Sequence, residues 1–61
     1  MQKYVGDLTT NDVIMIDGNA VVLDYLESHD DDRITVRGYF ESDGTDFSVT
    51  VPSDFSFRVA L

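Results

Sequence analysis

The sequence predicts an all-β protein, a small barrel of five short strands with one 3-10 turn before the last. Two observations carry that expectation. Glycine and proline divide the 61 residues into short runs rich in β-branched and aromatic side chains, and no run has a helical period. Hairpins built on the turn signals also give self-consistent faces. This is a demanding condition, because a one-residue slip turns every side chain of a strand to the opposite face.

The first run, "DVIMID" (12–17), leads through Gly18-Asn19 into "AVVLDYLE" (20–27). With Gly18-Asn19 as a type II′ loop, Ile16 meets Val21 and Ile14 meets Leu23. Val13, Met15 and Val22 then occupy the second face, which is more apolar than a solvated sheet needs. The third run, "RITVRGYF" (33–40), follows the acidic stretch "ESHDDDR" (27–33). Keeping Leu23 and Tyr25 on the face of Ile34 and Val36 requires a loop of even length, either Ser28 to Asp31 or Ser28 to Arg33, and both put the Asp run at or beside the hairpin tip. "SDGT" (42–45) joins this strand to "DFSVTV" (46–51). A type I′ turn centred on Asp43-Gly44 sets Phe40 against Phe47, Gly38 against Val49 and Val36 against Val51. Tyr39 with Ser48 and Arg37 with Thr50 form the polar face. Pro52-Ser53-Asp54 is the expected 3-10 turn. In "FSFRVAL" (55–61), Phe55, Phe57, Val59 and Leu61 face one way and Ser56, Arg58 and Ala60 the other. Five strands joined in this manner fit a small SH3-like barrel, whose closure leaves few exposed edges.

Length and composition narrow the rest. The chain makes a single domain, 1–61, and a chain of this size buries only about 60% of its unfolded surface. There is no cysteine, so neither a disulfide nor a thiolate metal site can add stability. Well-ordered packing or a second subunit has to supply it. Twelve Asp and Glu against four Lys and Arg give a net charge of -8, while a hydrophobic fraction of 43% argues against disorder. The excess negative charge repels phosphates, which disfavours DNA, RNA and anionic membranes and favours a basic protein partner. No apolar run approaches the ~18 residues of a membrane span, and "MQKYVGDLTT" lacks the apolar stretch of a signal peptide. A soluble, cytoplasmic protein is expected.

Leu8, Asp12, Val13, Ile14, Ile16, Asp17, Gly18 and Val22 carry a resemblance to a known family. The stretch "GDLTTNDVIMIDGNAVVLDYLES" resembles the first hairpin of translation-type SH3-like barrels, as in the N-terminal domain of elongation factor P. The likeness spans about a third of the chain and implies the barrel fold. In that family the loop after the second strand carries a modified lysine that reaches a ribosomal site. Here that loop reads "SHDDD" and has no lysine, so the resemblance supports the fold and counts against the family's activity.

The acidic stretch invites a metal reading that its spacing rejects. Calcium loops alternate oxygen ligands about a glycine, whereas three consecutive Asp side chains diverge and no glycine is present. His29 is the only histidine, too few strong ligands for a transition metal. "ESDGTD" (41–46) has hairpin spacing, with Glu41 opposite Asp46 at an exposed rim. No Ser-His-Asp order and no phosphate-cradling loop is present, so neither an enzyme nor a bound cofactor is expected.

Arg33 and Arg37 share the polar face of the third strand with Thr35 and Tyr39, and Arg58 points outward from the last strand. The candidate partner-binding residues are Glu27, Asp30, Asp31, Asp32, Arg37 and Tyr39. Two functional readings follow. One is a non-enzymatic module that binds a basic protein, in its sharper form a nucleic-acid mimic of the kind phage-encoded inhibitors provide. The other is a structural subunit of a homo-oligomer, burying Val13, Met15, Val22 and Leu26 or pairing strand edges.

Overall fold

Alternating apolar residues separated by turn formers build one antiparallel sheet. The computed structural model describes residues 1–30 and 32–60. Its strands are β1 (Gln2–Tyr4), β2 (Val13–Ile16), β3 (Asn19–Asp30), β4 (Arg33–Phe40), β5 (Asp46–Pro52) and β6 (Ser56–Val59). They lie in the order β1-β6-β2-β3-β4-β5. The all-β class agrees with the sequence, but six strands in an open sheet replace the expected five-stranded closed barrel. The extra strand, β1, is too short to show an alternation of its own. It forms because β6 offers it a ladder, with Gln2 opposite Arg58, Lys3 opposite Phe57 and Tyr4 opposite Ser56.

The 3-10 turn also sits elsewhere. It spans Val5–Asp7, directly after β1, where the Val5 N–H donates to the Phe55 carbonyl at 2.7 Å. Pro52 to Phe55 forms a single turn closed by the Phe55 N–H on the Pro52 carbonyl at 3.0 Å. That single i→i+3 bond makes a lone turn between β5, which runs through Pro52, and β6, which begins at Ser56, and not a 3-10 helix, which repeats the bond.

Both tight hairpins are displaced from their expected registers by an even step. Asp17 (φ 52°) and Gly18 (φ 82°) form the centre of the β2–β3 turn, so Ile14 faces Val21 and Ile16 faces Asn19. Two positive φ values mark a type I′ turn, which Asp-Gly favours and whose twist matches that of the flanking strands. Between β4 and β5 lie five residues, Glu41 to Thr45, of which Thr45 still pairs with Phe40. The Phe40 N–H donates to the Thr45 carbonyl at 2.8 Å, and the Gly44 N–H donates to the Phe40 carbonyl at 2.7 Å. Phe47 therefore faces Gly38, Val49 faces Val36 and Val51 faces Ile34. Phe40 and Phe47 still meet edge to face across the diagonal, at 5.7 Å between centroids. An even displacement keeps every side chain on its own face, and so Ile14, Val21, Leu23, Val36 and Val51 are buried together. Val5, Leu8, Phe57 and Val59 complete that core from the other end of the sheet.

β3 breaks parity. A bulge between Leu23 and Tyr25 leaves Asp24 unpaired, after which Tyr25 faces Arg37 and Leu26 faces Val36. Tyr25 is consequently outside, 47% exposed, and not on the face of Ile34 and Val36 as the sequence suggests. Leu26 packs against the core and leaves the apolar second face. Gly38 makes the bulge possible, since a Cβ there would lie 2.1 Å from the Val22 carbonyl oxygen. A second irregularity falls between Ser28 and Asp30, just before the tip.

Candidate protein-binding surface

The bulge assembles the main surface feature. It brings Tyr25 and Glu27 of β3 to the outer face beside Arg37 of β4, whose guanidinium carbon lies 6.0 Å from the centre of the Tyr25 ring. Asp46, Phe47 and Ser48 of β5 close the far side of an open groove of about 630 Å³, with Gly38 and Asp24 at its margin. Three carboxylates, Asp24, Glu27 and Asp46, surround one guanidinium there, so the groove is net acidic.

The sequence-derived site residues fall into three places. Glu27 and Arg37 share the groove. Tyr39, 39% exposed, belongs to the neighbouring outer row, Asp46-Tyr39-Val22-Val13, read across β5, β4, β3 and β2, which shares only Asp46 with the groove. Asp30 and Asp32 sit at the β3–β4 tip, while Asp31 lies outside the described residues. At the tip the Asp32 N–H donates to Asp30 Oδ1 at 3.2 Å, and Arg33 donates to Asp30 Oδ2 at 3.2 Å. The Asp32 carboxyl, its N–H and Arg33 together hold Asp30 down at about 2, and the same contact with Asp30 pushes Asp32 up. Arg33 is therefore occupied by the tip and adds nothing to the outer face.

Other expectations are redirected. Glu41 does not face Asp46: its N–H donates to the Ala20 carbonyl at 2.9 Å, and Asp46 faces Tyr39. His29 projects from the second β3 irregularity, and its Nε2 hydrogen-bonds the Thr35 hydroxyl. Thr35 is only 5% exposed and shares its hydroxyl with Thr50 Oγ1 at 2.7 Å. His29 thus covers a polar pair on the sheet. Among the described residues no three of the His, Asp and Glu side chains converge as metal ligands.

Asp24, Tyr25, Asp46, Phe47 and Ser48 are the groove residues that sequence reasoning misses. The signal for them is Gly38, an isolated glycine in an otherwise β-branched and aromatic strand, which marks a bulge or a close backbone approach. The chain matches no protein-family model, and no curated protein is similar enough to count as a relative. Among the described residues no helix is long and apolar enough to cross a membrane.

Proposed function

We propose that the protein is a non-enzymatic interaction module that binds a basic protein surface through the outer face of β3, β4 and β5. The supporting observation is the groove, in which Asp24, Glu27 and Asp46 surround an aromatic and guanidinium pair in an open cleft. A lysine or arginine entering it meets carboxylates for pairing and the Tyr25 ring for stacking. The charge of -8 draws such a partner from a distance and repels nucleic acid. In its sharper form the module is a nucleic-acid mimic, its carboxylates taking the place of phosphates in a basic groove. The run β6-β2-β3-β4-β5, with a long β3 bent at its bulge, reads as a small SH3-like arrangement. It suits the first-hairpin resemblance to elongation factor P, without the lysine-borne activity.

The test is titration with an arginine- and lysine-rich peptide at about 50 mM and about 200 mM salt, followed by calorimetry. Binding that weakens steeply with salt, and that Asp24→Asn with Glu27→Gln reduces, supports the reading. No binding at low salt sinks it. Competition with duplex DNA for a basic DNA-binding protein separates mimicry from simple acidic docking. A homo-oligomeric subunit is the second reading, favoured by Val13, Met15 and Val22, which lie half-buried on the outer face of β2 and β3. A molar mass by light scattering that stays monomeric as concentration rises removes it.

A further inference from the structure

Among the described residues strand β5 has a ladder partner on one side only, β4. The Phe40–Thr45 hydrogen bond sets the phase of that ladder. Counting in twos, Phe47, Val49 and Val51 direct their backbone groups to β4, while the N–H and C=O of Ser48 and Thr50 face outward. From Phe47 to Val51 the strand is uncharged and contains neither glycine nor proline, in a chain of which 26% is charged. Within that stretch β5 has none of the usual edge defences, whether lysine, inward charge, proline or bulge.

Acids bracket the uncharged stretch. Asp43 and Asp46 stand at its start. At the far end the Ser53 N–H donates to the Asp32 carbonyl at 2.8 Å, drawing Asp32 to the Pro52 end beside Asp54, while Arg33, which faces Pro52, is paired with Asp30. We propose that β5 is a strand-addition site that receives an extended segment of a basic partner, uncharged at its centre and carrying Lys or Arg at its ends. This rests on the basic-partner reading above and adds the place and conformation of binding. Backbone hydrogen bonds to Ser48 and Thr50 supply attraction without demanding particular side chains, and alternate residues of the added strand cover the half-buried Phe47 and Val49. A second copy is a poorer occupant. Antiparallel self-pairing about Val49 sets Ser48 against Thr50, but it brings the Asp43–Asp46 end of one copy to the Asp32–Asp54 end of the other, where like charges meet.

The probe is a synthetic peptide of alternating threonine and valine with two lysines at each end, compared with the same peptide interrupted by prolines. Ser48→Pro removes an outward N–H and leaves the β4 ladder intact; Thr50→Lys is a second edge variant that keeps the backbone unchanged. The alternating peptide should bind the wild type, shift the Ser48 and Thr50 amide resonances, and lose about tenfold or more in affinity to either edge variant. The proline-interrupted peptide should bind far more weakly. Equal binding of both peptides, or undiminished binding by folded edge variants, overturns strand addition while leaving the basic-partner reading in place. Failure of every lysine-rich peptide at low salt removes both. A wild-type dimer that Ser48→Pro dissolves overturns the proposal in favour of a second copy.

Discussion

The two edges of the sheet are built in opposite ways. β1 is three residues long and runs straight into the 3-10 turn, whose Val5 N–H is bonded to Phe55. Its central residue, Lys3, reaches back to Asp12 at 3.2 Å, so a charge occupies the middle of this short edge. β5 is seven residues long, and its charge is confined to Asp46 at one end. Length and charge therefore protect one edge and leave the other available. The acidic excess is concentrated in turns, the tip and the groove, and spares Phe47 to Val51 of the long edge. A purely solubilising distribution gives no reason for that.

Proline substitution gives the largest test of this difference. Val49→Pro removes a hydrogen bond to β4 and should cost about 3 kcal/mol or more, enough to unfold a domain of this size, whereas Ser48→Pro should cost less than about 1 kcal/mol. Urea unfolding of the two variants compares them directly, and equal losses would refute the assigned ladder phase.

At the protected edge, Asp12 holds the turn after the 3-10 helix as well as Lys3. Its Oδ2 accepts the Thr9 N–H at 2.9 Å, and its side chain is only 14% exposed. Asp12→Ala should destabilise by about 1–2 kcal/mol at neutral pH in thermal melts. The Thr9 N–H, followed by Lys3, lowers the Asp12 pKa below its ordinary value of 3.8. Its contribution is thus complete above that ordinary value and is lost as pH falls through the lower folded one. Melts of Asp12→Asn should therefore show a smaller drop between neutral pH and acid than the wild type; an unchanged drop would mean that other carboxylates carry the acid sensitivity. The smallest effect belongs to the groove, away from both edges. Arg37→Ala should change stability by about 0.5 kcal/mol, because its stacking on Tyr25 is exposed to solvent. A loss several times larger would make Arg37 a structural residue.

Much of the interior is legible in the sequence because its period is two. Ile14, Val21, Val36 and Val51 are found inside although both hairpin registers shift, since an even shift preserves parity. β1 is not legible, for three residues carry no period and the strand depends on β6, more than fifty residues away. The groove is illegible for a different reason. Composition places Glu27 and Arg37 in neighbouring strands, but only the unpaired Asp24 decides that Tyr25 stands beside them. Gly38 is the single residue that hints at it. The acidic tip does lie on the β3–β4 hairpin, with Arg33 engaged by Asp30, but the two irregularities in β3 break the parity that pointed to it.

The bulge makes β3 a strand with two reading frames. Upstream of Asp24 the odd-numbered residues Val21 and Leu23 face the interior, and downstream the even-numbered Leu26 does. Loss or gain of one residue between the bulge and the tip would exchange inside for outside at Tyr25, Leu26 and Glu27, emptying the groove and lining the core with polar atoms. Changes made in pairs would preserve both. Length in this strand is therefore under a constraint as strict as the identity of its core residues, and variants of this chain that differ there should differ in steps of two.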